Sequence, residues 1–202
     1  MFAPSATQPL SRVQAAGGTP EPASKVDFSQ GENSHRWPYF LPDGKHFLYW
    51  SRNSRGTQEH VLYVGELGSL QAKPLRKSET MAVYASGYLL FMREQTLMAQ
   101  LFDPGRLELS GEPTPVAEHV GINGGTGRPL FAASDTGSLV YQSGEMTGGW
   151  DLLWLARDGK KTGSLAQVDR YFTPALSPDG TRLAVTIFNG LGGTGDIWIF
   201  DL

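Results

Sequence analysis

The chain has 202 residues, 40% apolar and 18% charged, enough to bury a real core as one domain. Its 25 glycines and 13 prolines suit a fold of many short strands and turns rather than a helical one. A formal net charge of −3, with no run of Lys or Arg, gives no electrostatic footprint for a nucleic-acid partner, and the lack of cysteine excludes disulfides, thiolate metal sites and cysteine nucleophiles.

Residues 1–30 are rich in Ala, Pro and Ser, and Met1 to Thr7 have neither the charged nor the apolar region of an export signal. From Trp37 onward a layout recurs: an apolar strand, a turn ending in Gly, and a second apolar strand. It appears as Trp37 to Gly44 with Lys45 to Trp50, and as Ala82 to Gly87 with Tyr88 to Arg93. It returns as Pro129 to Gly137 with Ser138 to Gln142, and as Thr173 to Gly180 with Thr181 to Phe188. The glycines at 44, 87, 137 and 180 are 43, 50 and 43 residues apart, the spacing of a propeller blade.

A third strand follows each pair, at Val61 to Val64, Thr96 to Ala99, Leu152 to Leu155 and Asp196 to Ile199. Turns such as Asp103-Pro-Gly105 and Asp158-Gly159 lead to a fourth, more polar strand. Gly111 to Val120, the nearest helix candidate, contains Pro113 and Pro115, which disfavour a helix. The longest apolar run, around Tyr88 to Met92, is far too short to span a bilayer.

The expected fold is therefore an all-β propeller of about five blades, each with four antiparallel strands, the first and last incomplete. Blades are expected at about 31–79, 80–122 and 123–168, with partial blades at 1–30 and 169–202. Within 1–30, Met1 to Ala3 read as the end of a second strand, Leu10 to Ala15 as a third and Pro20 to Val26 as a fourth. On this reading the chain is a fragment of a larger protein.

Leu41-Pro-Asp-Gly44 and Leu176-Ser-Pro-Asp-Gly180 resemble the WD-repeat-like units of TolB-type propellers, in which this turn joins the innermost strand to the second. The second repeat departs from the pattern with Ala85-Ser-Gly87, and the third with Ser134-Asp-Thr-Gly137. Gly31 to Pro38, Tyr88 to Glu94 with Thr96 to Gln100, and Phe102 to Pro113 resemble the C-terminal propeller region of certain bacterial serine/threonine protein kinases. That resemblance implies a sensor-type module on the extracytoplasmic (periplasmic) side of its parent.

Catalytic motifs are missing from the sequence. The kinase His-Arg-Asp and Asp-Phe-Gly signatures do not occur, and His35-Arg36 is followed by Trp37. No serine has the flanking glycines of a nucleophile elbow. Gly-Gly-Thr-Gly at 124–127 and 192–195 lacks the Lys of a phosphate loop and reads as turns. His35, His46, His60 and His119 lack metal-ligand spacing, and Asp43, Asp135 and Asp179 are turn residues first. The tryptophans at 37, 50, 150, 154 and 198 fall mostly in strands and read as inter-blade core.

In a propeller, the loops leading into innermost strands converge at one mouth of the central channel, where ligand sites concentrate. The corresponding segments offer Glu32, His35, Arg36, Tyr84, Asn123, Arg128, Asp169, Arg170 and Tyr171 as ligand-binding candidates. The competing account is that these groups cap strand ends and pair with one another.

The expected function is non-catalytic binding of a protein or small-molecule ligand, without a cofactor. The alternative is a propeller hydrolase of lactone, ester or phosphotriester type, with calcium held by Glu32, Asn33, Asn123 and Asp169 or with polar channel residues activating a water. A third is the propeller portion of a prolyl-oligopeptidase-type peptidase. Open strand edges lead us to expect a homodimer or higher homo-oligomer.

Overall fold

The computed structural model describes residues 1–123, 126–143, 152–156, 159–164, 171–188 and 195–202. In the N-terminal segment β1 (Ser11–Arg12) pairs antiparallel with β2 (Glu21–Pro22), and Phe2 bridges to Ser11. The next sheet is β3 (Glu32–Phe40), β4 (His46–Asn53), β5 (Val61–Glu66) and β6 (Ala72–Lys77), in that order. A second four-stranded sheet follows with β7 (Ala82–Ala85), β8 (Tyr88–Arg93), β9 (Thr96–Asp103) and β10 (Glu108–Ala117).

A short pair, β11 (Ile122–Asn123) with β12 (Arg128–Pro129), precedes β13 (Phe131–Ala133), β14 (Leu139–Gln142), β15 (Leu152–Leu155) and β16 (Lys161–Ser164). The last sheet has three strands, β17 (Tyr171–Leu176), β18 (Arg182–Phe188) and β19 (Gly195–Asp201). In each of the larger sheets the spatial order follows the chain order, the up-and-down meander of a propeller blade. The stretch with Pro113 and Pro115 is strand β10, as the prolines require.

Two compact units divide the chain: Met1–Glu94 with Gln100–Glu112, and Gln95–Ala99 with Pro113–Leu202.

The four aligned glycines all have positive φ: 64° at Gly44, 85° at Gly87, 92° at Gly137 and 72° at Gly180. This left-handed conformation closes the turn between the first two strands of each blade and is the reason for glycine there. Beside two of these turns an aspartate completes the reversal. Asp43 Oδ1 accepts the amides of Lys45 and His46, and Asp179 Oδ1 accepts the amide and hydroxyl of Thr181. Hydrogen bonds from the His46 side chain and amide bring the Asp43 carboxyl down to about 2, and those from Ser177 and Thr181 do the same for Asp179.

Two innermost strands share a second device. Trp37 and Thr173 each stand seven residues before an aligned glycine, each precedes a proline, and each has positive φ, 56° and 49°. Both positions fall at a break in strand register, between Arg36 and Tyr39 and between Phe172 and Ala175. A left-handed residue before proline is strained by about 1–3 kcal/mol. The bulge it permits realigns side chains: Arg36 pairs with Trp50 and Tyr39 with Leu48, so both face the same side of the sheet.

The central strands read as unbroken apolar runs because both their faces are covered. Phe47 to Trp50 in β4 and Leu89 to Met92 in β8 are all buried. In the first unit Leu10, Ala23, Phe47 and Tyr49 form one core cluster, which fastens the N-terminal segment to one face of β4. In the second unit Ala132, Val140 and Leu152 pack with Tyr171, Leu183 and Val185. Trp50 is buried, whereas Trp198 in β19 is 53% exposed, so the tryptophans divide between core and surface.

Candidate functional site

The polar residues gather on the β3–β5 half of the first unit's opening sheet, and strand alternation sorts them onto two faces. His35 pairs with Ser51 and Tyr49 with Tyr63 on one face; Ser34 pairs with Arg52 and Arg36 with Trp50 on the other.

The first face holds a buried network. His35, expected in a loop, is the fourth residue of β3 and only 1% exposed. Its Nδ1 lies 2.7 Å from Ser24 Oγ and its Nε2 lies 3.3 Å from Glu32 Oε2. Ser24 Oγ also accepts the Leu10 amide, and the His35 amide donates to the Gln8 carbonyl, so two stretches of the N-terminal segment, one before β1 and one after β2, are tied to β3 here. Glu32 accepts the Asp27 amide and the Ser51 hydroxyl, each at 2.8 Å.

Burial alone would raise the Glu32 carboxyl, but hydrogen bonds from His35, the Asp27 amide and Ser51 outweigh it and bring the carboxyl down to about 2. The same negative charge acts on the tyrosines nearby. Burial first, and then Glu32, push Tyr63 up to about 12 and Tyr49 higher still. The rings of Tyr49 and Tyr63 stack at 5.4 Å, and that of His35 lies 4.7 Å from Tyr49.

The second face is cationic. Arg36 donates to the Ala6 carbonyl at 2.7 Å and to Ser34 Oγ at 3.3 Å. The Arg52 guanidinium lies over the Trp50 ring at 5.9 Å, and its Nε is buried without a hydrogen-bond partner. His60 is buried edge-on against Trp50, ring centres 4.7 Å apart, with Nδ1 unpartnered. Burial, and then the Arg52 charge, lower the pKa of His60, and the same two causes lower that of Arg36. On the same face, Arg76 stacks on Phe91 at 3.6 Å and donates to Gln100 Oε1.

Other candidates occupy separate places. Tyr84, in β7, is half-buried; its carbonyl accepts the Tyr39 hydroxyl at 2.9 Å and its ring meets that of Phe102 edge-on. In the second unit Asn123 and Arg128 are cross-strand partners in β11 and β12, with Asn123 Oδ1 accepting the Thr126 amide. Burial lowers the Arg128 pKa. Tyr171 belongs to the buried core of that unit. Asp169 and Arg170 lie outside the described residues.

Asn33 is a half-buried neighbour of Glu32 whose Oδ1 accepts the Ser34 hydroxyl. Among the described residues no three His, Asp or Glu side chains gather in a way that could hold a metal. A cavity of about 170 Å3, lined by Met1, Arg12, Glu21, Phe40 and their neighbours, is smaller than the usual small-molecule pocket of roughly 300 Å3 or more.

Ser24, Arg52 and His60 were not among the sequence candidates. Arg52 shares the face of Trp50 by alternation along β4, whereas the pairing with β3 and β5 is what brings Arg36 and His60 to that face. Ser24 gives no such signal in a segment rich in Ala and Pro.

The sequential antiparallel blades define a β-propeller, and solved structures with this fold superpose on the chain. It is similar to regucalcin from Agrobacterium tumefaciens str. C58, described as a calcium-binding protein, with a TM-score of 0.62 at 16% identity, over 88% of this chain and 61% of that one. It is similar to TolB from Acinetobacter baumannii, with a TM-score of 0.61 at 15% identity, over 95% of this chain and 45% of that one. Puromycin hydrolase gives 0.58 at 15% identity, over 92% of this chain and 38% of that one. The chain thus spans 38 to 61% of the length of these structures, and at such identities the likeness is one of fold. No family model matches the sequence, and no curated protein matches it.

Proposed function

We propose that this chain is a non-catalytic binding module: a β-propeller that binds a protein or small-molecule ligand through half-buried polar side chains beside its covered strands. The observation that carries this reading is the engagement of the residues with catalytic potential. Both Glu32 oxygens accept hydrogen bonds, Ser24 accepts a backbone amide, and His35 is sealed from solvent between them. Groups so placed fasten the N-terminal segment to β3 and are closed to a substrate. The resemblance to kinase-linked propellers fits a sensory role in a larger, extracytoplasmic protein.

A second reading has one specific observation in its favour. Ser24, His35 and Glu32 form a hydroxyl–imidazole–carboxylate chain, the order in which a hydrolase activates a nucleophile. Propeller neighbours named as hydrolases add fold-level context, and the calcium-binding neighbour does the same for a calcium-assisted version. Assaying ester and phosphotriester turnover with and without calcium, for the parent and Ser24→Ala, separates the readings. The binding module gives no turnover that depends on Ser24; loss of a measurable rate in a folded Ser24→Ala variant overturns it.

Self-association is part of the proposal. Ile197, Trp198 and Ile199 on β19 are each more than half exposed, on the outer strand of a three-stranded sheet. An apolar edge of this kind pairs readily with another chain.

A further inference from the structure

We propose that the Arg36–Arg52–His60 face is an oxyanion subsite that takes the carboxylate or phosphate group of a small-molecule ligand. The inference rests on the binding-module reading and adds the ligand's chemistry. Ser34 pairs with Arg52 and Arg36 with Trp50, so the two arginines are diagonal neighbours on one face. Diagonal positions are about 7–8 Å apart at the backbone, within joint reach of two guanidinium groups around one anion. His60 follows Arg52 in the same row, because Ser51 pairs with Val61 and Trp50 with Leu62 across β4 and β5.

Charge balance makes the arrangement informative. Fully buried charges in folded proteins are paired; Arg36 and Arg52 are half-buried, and among the described residues neither has a carboxylate partner. Glu32 and the amide-bound Asp27 belong to the network on the opposite face, Glu59 is paired with Lys77, and Glu79 meets His60 through its backbone. Among the described residues Arg36 donates to neutral acceptors, Ala6 O and Ser34 Oγ. Arg52 Nε and His60 Nδ1 are buried polar atoms with no partner, and an unmade buried hydrogen bond is costly.

Two guanidinium groups on diagonal positions of one face, with the Arg52 Nε–H unfilled and the Trp50 ring beside it, match what a planar oxyanion needs: bidentate donors and positive potential. An oxyanion would relieve the like-charge repulsion between Arg36 and Arg52 and accept from the vacant Arg52 Nε–H in one step.

The test is thermal melting of the whole chain with inorganic phosphate, with malonate as the carboxylate probe, and with chloride at matched ionic strength. The expected result is a saturable rise of roughly 3–5 °C with phosphate or malonate and none with chloride. Which of the two acts at lower concentration assigns the group. Arg52→Gln is expected to abolish the rise while melting, without anion, at or above the parent temperature, because it removes an uncompensated charge. Arg36→Gln provides the same test should Arg52→Gln fail to fold.

A rise that chloride reproduces, or one that survives in both variants, overturns the proposal. Turnover that vanishes in Ser24→Ala would instead overturn the binding reading, and it leaves the phosphate result standing on its own.

Discussion

Replacing Glu32 by glutamine should expose how much of the N-terminal clasp depends on one carboxylate. The change is nearly isosteric, but it removes the charge that receives the Asp27 amide, the Ser51 hydroxyl and His35. The Gln carbonyl retains one acceptor, and the Ser51 hydroxyl turns to accept from the new amide, so weakened charge assistance dominates the loss. Moving a carboxyl from 4.5 to about 2 corresponds to at most about 3 kcal/mol of stability. Screening at a partly buried group reduces that to about 1–2 kcal/mol.

The sign follows from the direction of the shift. A carboxyl lowered in the folded state contributes its full stabilisation above 4.5 and loses it as pH falls toward about 2. Urea unfolding of the parent and Glu32→Gln at neutral pH should therefore differ by about 1–2 kcal/mol, and the gap should close as the pH is lowered through that window. A variant as stable as the parent at neutral pH, or a gap independent of pH, refutes the idea that Glu32 is a structural anion.

Gly65→Ala should cost about 1–3 kcal/mol in a chemical melt, because the new Cβ would lie 2.5 Å from Cζ of Phe47, a fully buried ring with nowhere to move. Gly44→Ala and Gly180→Ala both strain a left-handed turn, but only Gly180 also meets side chains, Thr136 Oγ1 at 2.8 Å. Gly180→Ala should therefore melt at the lower temperature, with Gly44→Ala down by about 1–2 kcal/mol. Ile197→Lys and Ile199→Lys should shift the parent from a concentration-dependent assembly to monomer by light scattering; a parent that stays at 22 kDa at every concentration removes the case for self-association.

The fold was legible in the sequence because its signals are local. The glycines at 44, 87, 137 and 180 had to be glycine for a backbone reason, and their spacing exposed the repeat before any strand was placed. Phe2, β1 and β2 lie within the three stretches that the repeat marked as the end of a second strand, a third strand and a fourth. The site was legible only in part. Glu32, His35 and Arg36 were found together, but a bulge at Trp37 and the N-terminal segment covering His35 are long-range effects that no single stretch encodes. Loop position suggested exposure for His35, and tertiary contact reversed it. Arg52 and His60 lie far from Arg36 in sequence, and only the pairing of β3, β4 and β5 brings them to one face.

The central claim, that the Ser24–His35–Glu32 chain fastens the fold and does no chemistry, meets its most direct test in one paired measurement on Ser24→Ala and His35→Gln. Each variant and the parent are followed by chemical unfolding and by hydrolysis of an activated ester and a phosphotriester, with and without calcium. The account predicts a loss of about 1–3 kcal/mol in stability for each variant, since a buried hydrogen-bonded group is removed from between the Leu10 amide and Glu32. It also predicts hydrolysis rates that do not distinguish the three proteins. Variants that keep the parent's stability but lose a rate the parent shows would contradict it and make the chain a hydrolase.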